Sequence, residues 1–314
     1  MAAKDELRAG RASDSQPELI SAVPLRRPGR WIAAALVIVL LGLFVYGAAT
    51  NSAYDWSAVG KYLFDVRVEQ AALITLLLTA YAMFFAIILG IVLAVMRLSP
   101  NPVLRSVSWL FLWLFRGTPV YVQLVFWGLI ATIYKHIDLG VPFVHQVAHI
   151  QTSRFFTYFW LAVIGLTLNE SAYMAEIVRA GISSVDEGQQ EAATALGMSW
   201  SQTMRRIVLP QAMRVIIPPT GNELISMLKT TSLVTAVPYS YELYSRTRDL
   251  AIETFNPIPM LIVASAWYLL FTSLLMIGQH YLEKYFARGA SRTMSNRQLQ
   301  ALADAQTTTG GGHV

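Results

Sequence analysis

Ionisable side chains inside apolar stretches are the first chemistry this sequence offers. The run from Phe155 to Ile182 holds Asn169, Glu170, Glu176 and Arg179. A second run, Val215 to Val237, holds Asn222, Glu223, Lys229 and Thr231 behind the pair Pro218-Pro219. A charge at mid-membrane costs about 2.5–3.5 kcal/mol on insertion scales, so each needs a partner or a water-filled cavity. Glu176 and Arg179 are three residues apart and can pair on one helix face, a structural role. Glu170 has no basic residue three or four positions away in its own run. Two readings of it stand side by side: an anionic contact for a ligand's ammonium group, or a bond to another span, for example to Lys229. The two prolines are expected to break the second run. Broken backbone at membrane depth is tolerated inside protein or beside a cavity, so Asn222, Glu223, Lys229 and Thr231 are expected to line a pathway. Helix packing through small and polar residues is the alternative.

Glu191 to Pro210, EAATALGMSWSQTMRRIVLP, is a polar break between these two runs. Glu191 to Leu196 is rich in helix formers, and Gly197 can take the left-handed conformation that ends a helix. Ser199 with Gln202 three residues on is a capping-box pattern that starts a second short helix. Pro210 limits how far that helix runs unchanged. Arg205 and Arg206 hold the stretch in water or at a headgroup surface.

The elements that must position these groups are membrane spans. Of the 314 residues 55% are hydrophobic and only 14% charged, against about 25% charged in soluble domains. Mean hydropathy is +0.47. The absence of cysteine excludes disulfide scaffolds, thiolate metal sites and cysteine nucleophiles. The net charge of +5 flanks apolar runs and does not cluster with aromatics, so no nucleic-acid partner is expected.

Residues 1–30 read as a flexible cytoplasmic tail, and 31–50 as a retained first span. Further spans are expected at Ala71 to Met96, at Ser106 to Tyr134 with an interruption at Arg116-Gly117-Thr118-Pro119, at Phe155 to Ile182, at Val215 to Val237 and at Asn256 to Leu282. Residues 283–314 form a polar tail. The stretches Asn51 to Gln70, Lys135 to Arg154 and Pro238 to Phe255 are read as outside loops. The second of these carries His136, His145 and His149, taken as solvated residues and not as a metal site. With the N-terminus inside, six Lys and Arg lie outside, namely Lys61, Arg67, Lys135, Arg154, Arg246 and Arg248. Lys229 lies within a span and the other seventeen face the cytoplasm. Both termini and the Glu191–Pro210 stretch are thus expected inside.

The spacing Glu191-Ala192-Ala193, three residues, Gly197, nine residues, Ile207, one residue, Leu209-Pro210 resembles the EAA motif of bacterial ABC importer permeases. Arg116-Gly117-Thr118-Pro119 with Gln123, the run from Tyr173 to Arg179 with Gly181, and Pro210-Gln211-Ala212 through Pro218-Pro219 to Leu228-Lys229-Thr230-Thr231-Ser232-Leu233 resemble that family's polar amino-acid uptake branch. Ala180 stands where the branch often has glycine. The resemblance covers residues 71–282.

It implies an all-α membrane protein of six helices, a five-helix core preceded by one extra N-terminal helix, with 186–210 as a cytoplasmic coupling segment. Glu191, Ala192, Ala193, Gly197, Arg205, Ile207, Leu209 and Pro210 would meet an ATPase, while Arg116, Gly117, Pro119, Glu176, Arg179, Pro218 and Pro219 would be structural. The implied partners are two ATPase subunits, an extracytoplasmic solute-binding protein and a second permease chain, the same or related. The implied substrate is a polar amino acid or close relative.

The chain is expected to need no cofactor or metal and to catalyse nothing itself. ATP and Mg would be used by the partner, because no phosphate-binding loop occurs here: Leu228 stands where a glycine must precede Lys229-Thr230. An ion- or proton-coupled secondary transporter is the alternative, with Glu170 or Glu223 as the coupling carboxylate.

Overall fold

The structure is a computed structural model that describes residues 28–141, 145–151 and 156–286. The expected tails lie outside the described residues, except that Pro28 to Arg30 already belong to a helix, as do Glu283 to Phe286. The described chain forms two units. The first is α1, Pro28–Thr50, followed by a short 3-10 turn at Ser52–Tyr54. Its side chains are apolar on every face, as expected of a helix surrounded by lipid.

The second unit contains α2 (Trp56–Leu63), α3 (Val66–Leu98), α4 (Pro102–Gly117), α5 (Val120–Gly128) and the short α6 (Ile130–Ile133). An antiparallel hairpin follows, β1 (His136–Val141) with β2 (His145–Gln151). Then come α7 (Tyr158–Ser183), α8 (Glu187–Ala195) and α9 (Trp200–Thr203), which passes through a π turn at Met204–Val208 into α10 (Leu209–Thr230). A 3-10 turn at Thr231–Ala236 leads to α11 (Leu243–Thr254) and α12 (Pro257–Phe286).

Among the described residues α1, α3, α7 and α12 are long and apolar enough to cross a membrane, and α4 with α5 form a further pair bent by 99°. The six-span reading also needs α10, which at 22 residues is about 33 Å long. Its Arg214, Glu223 and Lys229 make it too polar to pass on composition.

The core holds large apolar side chains such as Leu78, Leu124, Leu166 and Met227, but where α3 lies against its neighbours small residues recur. The buried face of α3 carries Thr75, Thr79, Ala82, Ala86, Gly90 and Ala94, while Phe84, Phe85, Ile88, Val92 and Val95 are exposed. Lipid is as apolar as leucine, so helices in a bilayer associate by close packing. At Gly90 the backbone of α3 meets α7, and an added Cβ would stand 2.6 Å from Cβ of Met174 and 3.1 Å from the backbone nitrogen of Ala175.

Three expectations change. The pair Pro218-Pro219 does not break its span; α10 runs through both prolines. Pro210 does not stop the helix that Ser199 starts. The π turn just before it, in which the Leu209 N–H reaches the Met204 carbonyl, re-spaces the backbone, so helix continues from Trp200 to Thr230. The outside stretches also hold regular structure: α2 lies in the first, the hairpin in the second and α11 in the third. Each of the helices is capped locally, Asp55 accepting from the Ala58 N–H and Glu242 from that of Ser245.

Glu242 does more than cap α11. It is wholly buried, and it accepts hydrogen bonds from Thr75 of α3 (3.2 Å), from the Ser245 N–H (3.1 Å) and from the hydroxyl of Tyr268 on α12. Thr75 in turn accepts from the Leu243 N–H at 3.0 Å. Three helices are thereby tied at one carboxylate. Burial pushes that carboxyl above the usual glutamate range, and the bonds from Tyr268, Ser245 and Thr75 oppose the rise.

The folded protein therefore holds the Glu242 proton more tightly than the unfolded chain does. Its contribution to stability is complete below the ordinary glutamate pKa and is lost as pH rises through the higher folded value. Thermal midpoints in detergent should fall across that window, and Glu242→Gln should flatten the fall; a Gln variant with the unaltered pH profile would contradict this. At the α3–α7 contact, Gly90→Leu should cost about 1–3 kcal/mol through overpacking, seen as a lower thermal midpoint. Gly60→Leu, where a Cβ meets nothing within 4 Å, is the comparison, and equal midpoints for the two variants would refute the contact's role.

Candidate functional site

The site is built where α7 passes the bend between α4 and α5. Helix α4 ends at Gly117, Thr118 is extended, and Pro119 starts α5. Such a break exposes carbonyls that an apolar layer cannot satisfy. Two side-chain amides supply the donors. The amide nitrogen of Gln123 donates to the Phe115 carbonyl (3.0 Å), the Thr118 carbonyl (3.0 Å) and the Thr118 hydroxyl (2.7 Å). That of Asn169 donates to the Phe115 carbonyl (3.0 Å) and to the Gln123 carboxamide oxygen (3.1 Å). Asn169, expected on a substrate pathway, is thus bonded to the bend. Gln123 carries the larger share of this work, and its place four residues after the Gly117-Thr118-Pro119 break was the available signal.

Next to Asn169, Glu170 is buried, and its Oε1 has no hydrogen-bond partner. No cation pairs with it; Lys229, the partner considered above, is exposed and makes no ion pair among the described residues. The charged group that acts on it is another carboxylate, Glu223 of α10. Glu223 is half-buried, Asn222 is exposed, and Thr231 is buried with its hydroxyl donating to the Leu228 carbonyl at 2.7 Å. Of the six expected pathway residues, Glu170 and Glu223 are the pair close enough for the charge of one to act on the other. A buried carboxylate with a second one within electrostatic reach, and no ion pair among the described residues, is a site that a positively charged ligand would complete.

The residues expected to be structural make the following contacts. Glu176 accepts from Arg179 at 2.8 Å. Arg116 lies over the ring of Tyr173 at 5.4 Å. The Pro218 carbonyl accepts from Gln279 of α12 at 2.8 Å, and Gly221 makes room for that carboxamide, which a Cβ there would overlap. Gln279 was missed; a lone amide in an otherwise apolar span was its signal.

The Glu191–Pro210 stretch folds as the end of the short α8, a turn at Gly197 and the start of the long helix that runs from Trp200 into α10. Gly197 has φ 76°, the Met198 N–H reaches the Ala193 carbonyl (3.0 Å) and the Gly197 N–H that of Thr194 (2.9 Å). This is a Schellman ending. Ser199 and Gln202 form the reciprocal capping box. Ala193 is buried against the hinge and Ile207 is half-buried, whereas Glu191, Ala192, Gly197, Arg205, Leu209 and Pro210 are exposed. Leu196 and Trp200, on either side of the hinge, are 82% and 76% exposed.

The arrangement has relatives. The family of binding-protein-dependent transport system inner membrane components matches residues 86–288. The arginine transport system permease protein ArgU of Corynebacterium glutamicum is 59% identical over 295 residues, which is 94% of this chain and 92% of that protein. The arginine transport system permease protein ArtQ of Bacillus subtilis is 34% identical over 213 residues, 68% of this chain and 89% of that protein. Among solved structures, an amino acid ABC transporter with histidines aligns with a TM-score of 0.58 at 30% identity, covering 70% of this chain and 94% of that one. An inward-facing MetNI methionine ABC transporter aligns with a TM-score of 0.52 at 16% identity over 72% and 97%, a likeness of fold. The chain belongs to the binding-protein-dependent inner membrane components, the permease subunits of ABC importers.

Proposed function

We propose that this permease moves a cationic polar amino acid of the arginine class across the cell membrane by alternating access, driven by separate ATPase subunits. The observation that carries the substrate class is Glu170: a buried carboxylate, lacking a cation, in a span where a charge is costly. The names of the relatives just described support it. In this reading α10 is the fifth of six spans, packed against α7, α12 and α3. The charge bias puts both termini and the EAA stretch on the cytoplasmic side.

Residues 186–210 then act as the coupling segment. ATP and Mg are bound by the partner ATPase, whose closure shifts α8 and α9 about Gly197. The exposed Leu196 and Trp200 give that partner an apolar grip, and the continuous helix from Trp200 to Thr230 carries the motion to Glu223. A ligand shifts such an equilibrium only through different contacts in the two states, and the Glu170–Glu223 pair is where a cation would make them. A second permease chain and an extracytoplasmic binding protein complete the assembly.

Uptake of arginine and of a neutral amino acid, measured with the complete transporter in proteoliposomes, tests the reading. Glu170→Gln should weaken arginine uptake about tenfold or more, the size of effect expected when about 1.4 kcal/mol or more of charge pairing is lost. Neutral uptake should change little. Unchanged arginine uptake and selectivity would make Glu170 a structural group.

A further inference from the structure

A cavity of about 430 Å³ opens between α3, α4 and α7, lined by Arg97, Trp109, Trp113, Arg116, Tyr173 and Glu176 among others. Its charge is not balanced. Arg97 and Arg116 make no ion pair among the described residues, and the Glu176 carboxylate is taken by Arg179 at 2.8 Å. Trp109 and Trp113 stack at 6.3 Å with their planes 15° apart, and both are exposed. Helix α4, which carries this pair and Arg116, lies at 99° to α5. Arg97 is one residue from the end of α3.

Indoles collect at membrane–water boundaries, and basic pockets between spans bind anionic headgroups. Guanidinium groups match phosphate with paired donors. A free amino acid is a poorer fit, since the one carboxylate in the lining already shares its charge with Arg179. We propose that this cavity holds the headgroup of an anionic phospholipid, with Arg97 and Arg116 on its phosphate and the Trp109–Trp113 pair along the glycerol. That the lipid comes from the cytoplasmic leaflet rests on the orientation proposed above; the binding itself does not.

Native mass spectrometry of the purified permease complex, equilibrated in detergent with phosphatidylglycerol or with phosphatidylcholine, reads the binding directly. The expected result is one phosphatidylglycerol retained per permease in preference to phosphatidylcholine. Arg97→Gln with Arg116→Gln should lower that retention about tenfold, Arg105→Gln on the same helix should leave it unchanged, and the double lysine variant should fall between. If the double Gln variant does not fold, the two single variants carry the test, each losing part of the preference. Equal retention of the two lipids, or undiminished retention in the Gln variants, would overturn the proposal. So would glycerol phosphate binding as tightly as the lipid, which would make this a site for free anions. Retention needs no ATP turnover, so failure here leaves the transport reading standing, and failure of transport leaves this one standing.

Discussion

The approach of α3 to α7 at Gly90 is the constraint on which the rest of the second unit depends. In a bilayer no solvent drives apolar surfaces together, so helices hold by the fit of backbones that come close. The row Thr79, Ala82, Ala86, Gly90 and Ala94 lets α3 lie against Met174 and Ala175. That contact fixes the height of α7, and α7 carries Asn169 to the Phe115 carbonyl, with Glu170 next to it within electrostatic reach of Glu223. A bulkier residue in the row would shift the bend and the carboxylate pair together.

Around this packing, the buried side-chain polar atoms of the described residues are satisfied except Glu170 Oε1 and Ser245 Oγ. Gln123 and Asn169 close the carbonyls of a 99° bend. Glu242 collects donors from three helices, and Gln279 bonds the Pro218 carbonyl. An apolar environment makes each such bond expensive to leave unmade. Of those two exceptions Glu170 is the ionisable group, and its unpartnered oxygen is what the proposed cation contact rests on. The Schellman turn and capping box around Gly197 show a different economy. There the backbone is satisfied entirely from within the segment, which leaves Leu196 and Trp200 free to face a partner.

Much of this was legible in the sequence because it is local. The hinge at Gly197, the cap at Ser199 and Gln202 and the Glu176–Arg179 pair each depend on residues within a few positions of one another. So do the long apolar runs that became α1, α3, α7 and α12. What was not legible depends on neighbours far along the chain. Pro218 and Pro219 read as a break, yet the helix continues through them and packs on α12 through Gln279 and Gly221. Asn169 read as a pathway group, and its bonds to Phe115 and Gln123 come from residues 54 and 46 positions away. Glu242 read as a loop residue because Thr75 and Tyr268, its partners, are 167 and 26 residues away.

The central claim is that the exposed hinge between α8 and α9 is where energy enters the transporter. A photo-crosslinking amino acid in place of Trp200, introduced into the full chain in its native cells, reads this contact without disturbing the backbone. The expected result is a covalent adduct to an ATP-binding subunit, with a yield that changes when ATP hydrolysis is blocked. Adducts to lipid alone, with the assembled ATPase present in the same membranes, would contradict the claim.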